Sequence, residues 1–195
     1  MILGITGGIG TGKSTILNIL EEYGFIVIEA DKLGHETMGK GQEAYLEIIK
    51  KFGRDVLDGE EQIDRVKLGE MAFHEPEVLE KLNEIVHPAV IRQIKKIINS
   101  NQEKNIVIES AILFEAGVNK LCDEVWYIYS DRDARIKRLK ESRGLTEEKI
   151  ENIMKKQLKE KEFEQKSDVV IDNTTTIENT KSQIEKLLVF HKVLC

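Results

Sequence analysis

The chain has 195 residues, a length that favours one domain with elaborations over two full domains. A formal net charge of −6 argues against a general affinity for nucleic acid, because that affinity depends on clustered Lys and Arg side chains. Hydrophobic residues make up 41% and charged residues 33%, which is the balance of a globular protein and not of a disordered one.

Short runs of β-branched and aromatic residues predict five buried strands. Each run is too short and too uniformly apolar for an amphipathic helix, and helical periodicity separates it from the next. This alternation is typical of a parallel sheet with crossover helices, so we predict an α/β fold. The predicted strands are residues 1–6, 25–29, 105–110, 125–130 and 168–172.

A long helical insertion is predicted between the second and third strands. Residues 34–52 carry spaced apolar positions, and Asp64 is suited to cap a following helix. Pro76 and Pro88 each suit a first helical turn, so we expect the helical stretch that ends near Ser100 to break at Pro88. The insertion as a whole is predicted to form a helical subdomain.

A second elaboration follows the fourth strand. Residues 131–141 and 146–165 are charged, amphipathic helical stretches that suit a lid, and residues 177–190 form the last predicted helix. We therefore predict a single domain in three parts. They are a core of residues 1–32, 103–130 and 167–195, a helical insertion of residues 33–102 and a lid of residues 131–166.

Residues 4–20, GITGGIGTGKSTILNIL, contain the motif G-x-x-x-x-G-K-[ST] between a predicted strand and a predicted helix. Backbone N–H groups in a loop with little side-chain bulk form an anion nest, and the helix that follows adds its N-terminal dipole. A dinucleotide fingerprint fails because Lys13 stands where the third glycine would be. The predicted nucleotide-binding residues here are Gly8, Gly10, Thr11, Gly12, Lys13, Ser14 and Thr15, with Lys13 on the β- and γ-phosphates and the Ser14 hydroxyl on Mg²⁺.

Two acidic residues follow predicted strands and are candidates for catalysis. Asp31 would lie at the carboxyl end of the second strand, where it would either take the proton of an acceptor hydroxyl or cap a helix beginning at Lys32. Glu109 ends the third strand, either as a carboxylate that holds Mg²⁺ through water or as a solvated strand end. One or two arginines of a cluster would neutralise the transferred phosphoryl group, the others being solvated. The cluster comprises Arg132, Arg135, Arg138 and Arg143.

Two short patterns raise the alternative of a GTP-binding switch. Residues 119–123, NKLCD, approach a guanine-reading N-K-x-D motif but contain one residue too many and precede a strand. Residues 31–34, DKLG, match D-x-x-G but follow the second strand, earlier than a switch loop would. We interpret both as chance matches and prefer a kinase.

Seven segments that span nearly the whole chain carry a further signal. They are GITGGIGTGKST from residue 4, VIEAD from 27, FG from 52, IDRVKLGEMAF from 63, LNEIVHP from 82, ILFEAG from 112 and SDVVIDN from 167. In this order the segments resemble the dephospho-CoA kinase family. The resemblance implies a P-loop kinase fold and transfer of the γ-phosphate of ATP, with Mg²⁺, to the ribose 3′-hydroxyl of dephospho-CoA. A related kinase of a nucleoside monophosphate or another small hydroxyl acceptor is the alternative enzyme.

The resemblance also implies roles for individual residues. It makes Asp31 the general base, places Asn173 at the ATP adenine, and matches Arg138 to a lid arginine. Arg143 falls one place after a second expected arginine, and His35 stands where an arginine is common on the acceptor side. Glu29 replaces an aspartate, and Phe163 replaces a usual lysine. The implied acceptor-binding residues are Asp31, His35, Arg65 and His87.

The remaining expectations concern the location and the assembly of the chain. No apolar stretch approaches the ~20 residues that span a bilayer, and residues 1–6 lead directly into the glycine loop, so we expect no membrane partner and no signal peptide. Cys122 and Cys195 have no metal-ligand spacing and suit a reducing cytoplasm. The sequence leaves the oligomeric state open.

Overall fold

A computed structural model describes residues 1–193 and contains one five-stranded parallel sheet, in the order β2-β3-β1-β4-β5. β1 is central, and its Gly4 pairs with Ile108 on one side and Val125 on the other. The predicted α/β class is confirmed, and each predicted strand is found to within one residue at either end. The strands are β1 (Ile2–Thr6), β2 (Ile26–Glu29), β3 (Ile106–Glu109), β4 (Glu124–Tyr129) and β5 (Val169–Asp172).

Helices connect the strands. Among the described residues no helix has the length and apolarity needed to cross a bilayer. The α-helices are α1 (Lys13–Glu22), α2 (Ala30–Thr37), α3 (Glu43–Phe52), α4 (Arg65–His74), α5 (Pro76–Asn99), α6 (Arg132–Arg143), α7 (Glu147–Lys155), α8 (Glu160–Lys166) and α9 (Ile177–Phe190). Two 3₁₀ turns lie at Arg54–Val56 and Val118–Leu121.

The described chain divides into two compact units. The first consists of Met1–Val27 and the described chain from Lys104 onward. Its core is formed by buried side chains of α1 and α9, such as Leu20 and Ile184, packed with strand residues such as Trp126. Burying each such side chain contributes roughly 1.5–3 kcal/mol. This core supports β1 and α1, the two elements that flank the glycine loop.

The second unit, Ile28–Glu103, is helical apart from the end of β2. Its core joins apolar residues of α3, α4 and α5, including Ile48, Leu68 and Ala89. Asp64 caps α4 as predicted, since its carboxylate accepts hydrogen bonds from the backbone N–H groups of Val66 and Lys67.

Two predicted boundaries are wrong. No break occurs at Pro88, which lies inside the continuous α5. Pro88 is exposed while Ala89 and Val90 beside it are buried, so packing of this face holds the helix together although proline removes one hydrogen bond. The single helical stretch predicted for residues 146–165 is interrupted between α7 and α8, where Gln157 takes part in a long-range contact.

Candidate active site

The glycine loop joins β1 to α1, and the ammonium group of Lys13 lies against its backbone. Gly12, just before α1, has φ 87°, a left-handed conformation that side chains other than glycine rarely adopt. The Nζ of Lys13 donates a hydrogen bond to the carbonyl oxygen of Gly7 at 2.9 Å. Ser14 and Thr15 follow in the first turn of α1, where the dipole of the helix favours an anion. This arrangement is suited to phosphate.

Glu109 provides a carboxylate beside this cation. Its Oε1 lies 3.6 Å from the Nζ of Lys13, and both side chains are mostly buried, with 12% and 14% of their surfaces exposed. The alternative of a solvated strand end is therefore wrong. Glu109 pairs with Ile5 in the β3–β1 register, so it lies beside the end of the strand that leads into the loop.

Two side chains outside the loop bind the backbone of the same loop residue, Ile9. The buried Arg135 of α6 donates from Nε to the carbonyl oxygen of Ile9 at 2.9 Å. Gln157, between α7 and α8, accepts a hydrogen bond from the N–H of Ile9 at 2.8 Å. Burial lowers the pKa of the Arg135 guanidinium. In the sequence, Arg135 stands out only as a member of the arginine cluster, and the family resemblance matches Gln157 to a position at the end of a lid helix without implying this contact.

Asn173 holds the other end of the loop. Its side chain is buried, donates from Nδ2 to the carbonyl oxygen of Thr11 at 2.8 Å and accepts from the Thr180 hydroxyl at 2.9 Å. Arg138 donates to the backbone carbonyl oxygen of Asn173 at 2.7 Å and to the Ser130 hydroxyl at 3.2 Å. Asn173 and Arg138 thus belong to one polar network behind the loop.

The remaining arginines of the cluster are exposed. Arg132 forms an ion pair with Glu151, and Arg143 ends α6. Of the four arginines, the structure therefore brings Arg135 to the loop itself and Arg138 to the segment that supports it.

The loop glycines have packing on their outer face as well as a role in exposing amides. A Cβ atom added to Gly8 would lie 2.5 Å from a guanidinium nitrogen of Arg135, and one added to Gly12 would lie 2.2 Å from the Nδ2 of Asn173. A Cβ on Gly10 would meet the Leu139 side chain at 2.9 Å. Glycine is therefore needed at these positions for two reasons. It exposes the backbone amides on the side that faces the phosphates, and it lets side chains pack closely on the opposite side of the loop. The motif alone does not reveal the second requirement.

A cavity of about 730 Å³ opens beside Gly8. Phe163 lies in its wall, stacked on Tyr127 with ring centroids 5.0 Å apart, and Arg135 and Gln157 also line it. Phe163 is buried, so the residue at the usual lysine position belongs to the hydrophobic packing here. The lysines that line the cavity are Lys155, Lys156, Lys159 and Lys161.

The predicted acceptor-side residues all lie in the second unit. Asp31 is exposed in the first turn of α2, whose N-cap is Glu29, so the alternative of Asp31 as a helix cap is wrong. His35 is exposed on α2, and Arg65 is exposed as the first residue of α4. His87 is half-buried in α5, and this burial lowers the pKa of its imidazole.

The two sequence patterns that suggested a GTP switch have structural roles instead. The Asp123 carboxylate accepts a hydrogen bond from the backbone N–H of Ile2 at 2.6 Å, which holds the start of β1. Residues 31–34 lie within α2 and do not form a loop.

A phosphate loop between the central strand of a parallel sheet and its following helix defines the class as a P-loop kinase fold. Solved structures agree. A shikimate kinase from Acinetobacter baumannii has a TM-score of 0.56 at 15% identity, covering 99% of this chain and 95% of that one. The structure titled TT1252 from Thermus thermophilus has a TM-score of 0.84 at 27% identity and covers 97% of both chains.

The family follows from closer relatives. The family model described as dephospho-CoA kinase matches residues 1–179, so the chain belongs to the dephospho-CoA kinase family. A dephospho-CoA kinase from Fusobacterium nucleatum is 40% identical over 95% of this chain and 96% of its own length. One from Carboxydothermus hydrogenoformans is 38% identical over 96% and 92%. A solved dephospho-CoA kinase from Campylobacter jejuni has a TM-score of 0.70 at 27% identity, covering 96% of this chain and 95% of its own. The resemblance found in the sequence is confirmed.

Proposed function

We propose that this protein is a dephospho-CoA kinase that transfers the γ-phosphoryl group of ATP to the ribose 3′-hydroxyl of dephospho-CoA. The bond between the γ-phosphorus and the β,γ-bridging oxygen breaks, a bond from phosphorus to the 3′-oxygen forms, and the hydroxyl proton leaves. The products are CoA and ADP. The single observation that carries the proposal is the Lys13 cation held in a phosphate loop beside Glu109, in a chain of this family.

The loop is proposed to bind ATP through its backbone amides and through Lys13. Backbone N–H groups of the loop bind the phosphates, except that of Ile9, which donates to Gln157, and Lys13 moves from the loop carbonyl oxygens to the β- and γ-phosphate oxygens. Charge that develops on the transferred group is then stabilised by a cation already in place, which lowers the barrier without reorganising water. We further propose that Arg138 and Arg143 add positive charge near the transferred group and that the α6–α8 segment excludes water as a competing acceptor.

Mg²⁺ fits the donors beside the loop. Ser14 offers a hydroxyl and Glu109 a carboxylate, and Mg²⁺ is commonly held by one or two such oxygen groups together with substrate phosphates and waters. We propose that the Ser14 hydroxyl would hold the ion and that Glu109 would hold it through a water molecule. When bound, Mg²⁺ neutralises charge on the β- and γ-phosphates.

The acceptor is proposed to bind through the helical insertion. Asp31 has no capping role, which leaves its exposed carboxylate available to orient the 3′-hydroxyl and take its proton. Arg65, His35 and His87 are proposed to bind the phosphates and ribose of dephospho-CoA, since guanidinium and imidazole groups suit such partners. Asn173 is proposed to lie at the adenine of ATP. We also propose a cytoplasmic location, where CoA metabolism would supply the acceptor.

A coupled assay of ATP consumption with Mg²⁺ tests the proposal on the full chain. Dephospho-CoA, several nucleoside monophosphates and shikimate serve as competing acceptors, and GTP is compared with ATP as donor. We expect turnover with ATP and dephospho-CoA, and mass and NMR spectra of the product should show a new phosphate on the ribose 3′-oxygen. Faster turnover of another acceptor, or phosphorylation at another oxygen, would refute the proposed substrate.

Two substitutions test the proposed chemistry. Asp31→Asn should lower kcat by about 10²- to 10⁴-fold, the usual contribution of a general base, while ATP affinity stays unchanged. Asp133→Asn, an exposed acid at the start of α6, is the matched control and should keep full activity. Lys13→Ala should remove the stabilising cation and abolish measurable turnover. An Asp31→Asn enzyme as fast as the unchanged one would exclude Asp31 as the base.

A further inference from the structure

Ile9, at the tip of the phosphate loop, is held on three sides by the segment α6–α8. Its carbonyl oxygen accepts from the Arg135 Nε at 2.9 Å, and its N–H donates to the Gln157 Oε1 at 2.8 Å. Its side chain packs against a small apolar cluster whose buried members are Ile136, Leu139 and Ile150. Both polar groups of one loop residue, and its side chain, are therefore bound by residues more than a hundred positions away.

We propose that Arg135 and Gln157 are positioning residues that hold the phosphate loop through Ile9, so that the α6–α8 segment sets the loop geometry that ATP meets. The inference rests on the proposed function only in taking ATP as the ligand. Neither residue needs to touch the reacting atoms. Their effect on binding passes through the backbone of the loop.

The packing of Arg135 supports this role over that of a mobile cation. The guanidinium is nearly buried, contacts Gly8 so closely that a Cβ there would clash, and lies 3.6 Å from Glu160 through its Nη1. An arginine held by a loop carbonyl, a carboxylate and a glycine contact has little freedom to swing toward a phosphate. Arg135 therefore stabilises the position of the loop and does not itself bind a phosphate.

The loop conformation also explains why two anchors are needed. Flexible glycines lose much conformational entropy when they are ordered, so a loop containing Gly7, Gly8, Gly10 and Gly12 is ordered only if other contacts offset that loss. Asn173 holds one end at Thr11, and the pair at Ile9 holds the tip. A loop ordered before ATP arrives pays less entropy on binding, which raises affinity.

Hydrogen exchange and nucleotide titration together test the inference. In Gln157→Met the amide loses its acceptor at similar side-chain volume, so exchange of the Ile9 N–H in the nucleotide-free protein should accelerate by about 5- to 30-fold. The dissociation constant for ATP with Mg²⁺ should rise by a similar factor. In Gln157→Glu an acceptor oxygen remains, and the Ile9 amide should keep its protection.

Arg135→Met is the second variant and should also weaken ATP binding. Because both side chains hold the backbone of one residue, Ile9, the loss in the double variant should be smaller than the sum of the single losses. Lys137→Met on α6 and Gln165→Met on α8 change exposed residues of the same segment and should leave exchange and affinity unchanged.

Two results would overturn the inference. One is Ile9 exchange in Gln157→Met equal to that of the unchanged protein. The other is faster exchange with an ATP affinity that stays within about twofold, since one lost hydrogen bond should exceed that change. An error in the proposed acceptor would appear in the turnover assay and would leave this titration unaffected.

Discussion

Asn173→Ala should destabilise the protein even when no nucleotide is bound. The substitution removes two hydrogen bonds of a buried amide, one to the carbonyl oxygen of Thr11 at 2.8 Å and one from the Thr180 hydroxyl at 2.9 Å. The Thr11 carbonyl loses a donor in a buried site, at a cost of about 1–3 kcal/mol. The Thr180 hydroxyl keeps the Thr176 carbonyl oxygen as an acceptor at 3.2 Å, so losing its bond to Asn173 costs less free energy.

The expected total is a loss of about 2–3 kcal/mol in the free energy of unfolding. For a chain of this size that corresponds to a fall in Tm of about 4–12 °C. Asn173→Asp should cost at least as much, because a carboxylate oxygen would face the Thr11 carbonyl oxygen. Differential scanning calorimetry without nucleotide measures both variants and keeps the loss of loop support separate from any loss of an adenine contact.

Asn18→Ala is the matched control, since Asn18 is exposed on α1 and its replacement should change the free energy of unfolding by no more than about 0.5 kcal/mol. If Asn173→Ala melted within about 1 °C of the unchanged protein, the hydrogen bonds to the loop would contribute nothing to stability and the reasoning would be wrong. A Tm equal to that of the unchanged protein, together with weakened ATP binding, would mean that Asn173 acts only by contacting the nucleotide.

Three further predictions each test one feature. Burial lowers the pKa of His87, so below a pH of about 6.5 the unfolded chain binds a proton more readily than the folded chain, and the free energy of unfolding falls as the pH falls. Urea titrations at several pH values should show a smaller fall for His87→Gln than for the unchanged protein. An equal dependence of the free energy of unfolding on pH in the two proteins would contradict this. Burial raises the pKa of Cys122 to about 12, so iodoacetamide at pH 8 should modify this thiol only in denaturant. Peptide mass spectrometry measures the labelling of Cys122, and rapid labelling in the native protein would show that the thiol is not protected. Pro88→Ala supplies the backbone N–H donor that proline lacks inside α5, and it should raise the free energy of unfolding by about 1–2 kcal/mol. Urea titration should show this gain as a higher midpoint. An unchanged midpoint would mean that the helix already compensates for the proline.

Much of the fold was predictable because its signals are local. The five strands are short apolar runs, and the last helix, α9, begins and ends at the predicted residues. Asp64 caps α4 through contacts that span only two or three positions. Such features depend on neighbouring residues, so a sequence pattern carries them almost completely.

The errors occur where distant packing competes with a local preference. Pro88 favours a helix start, yet burial of Ala89 and Val90 keeps α5 continuous. Asp31 is a good capping residue for a helix that begins at Lys32, but α2 begins two residues earlier, at Ala30. Glu109 is a charged residue at a strand end, yet Lys13 and the neighbouring loop make its burial tolerable.

The phosphate loop and the parallel α/β architecture could be predicted because they depend on residue types at fixed spacing, and the family could be recognised from the resemblance of seven ordered segments. Only the tertiary structure decided which side chains support the loop. Arg135 and Gln157 reach Ile9 across 126 and 148 positions, and Asn173 reaches Thr11 across 162. No periodicity links residues so far apart; folding of the sheet brings them together, and the loop glycines permit their close approach.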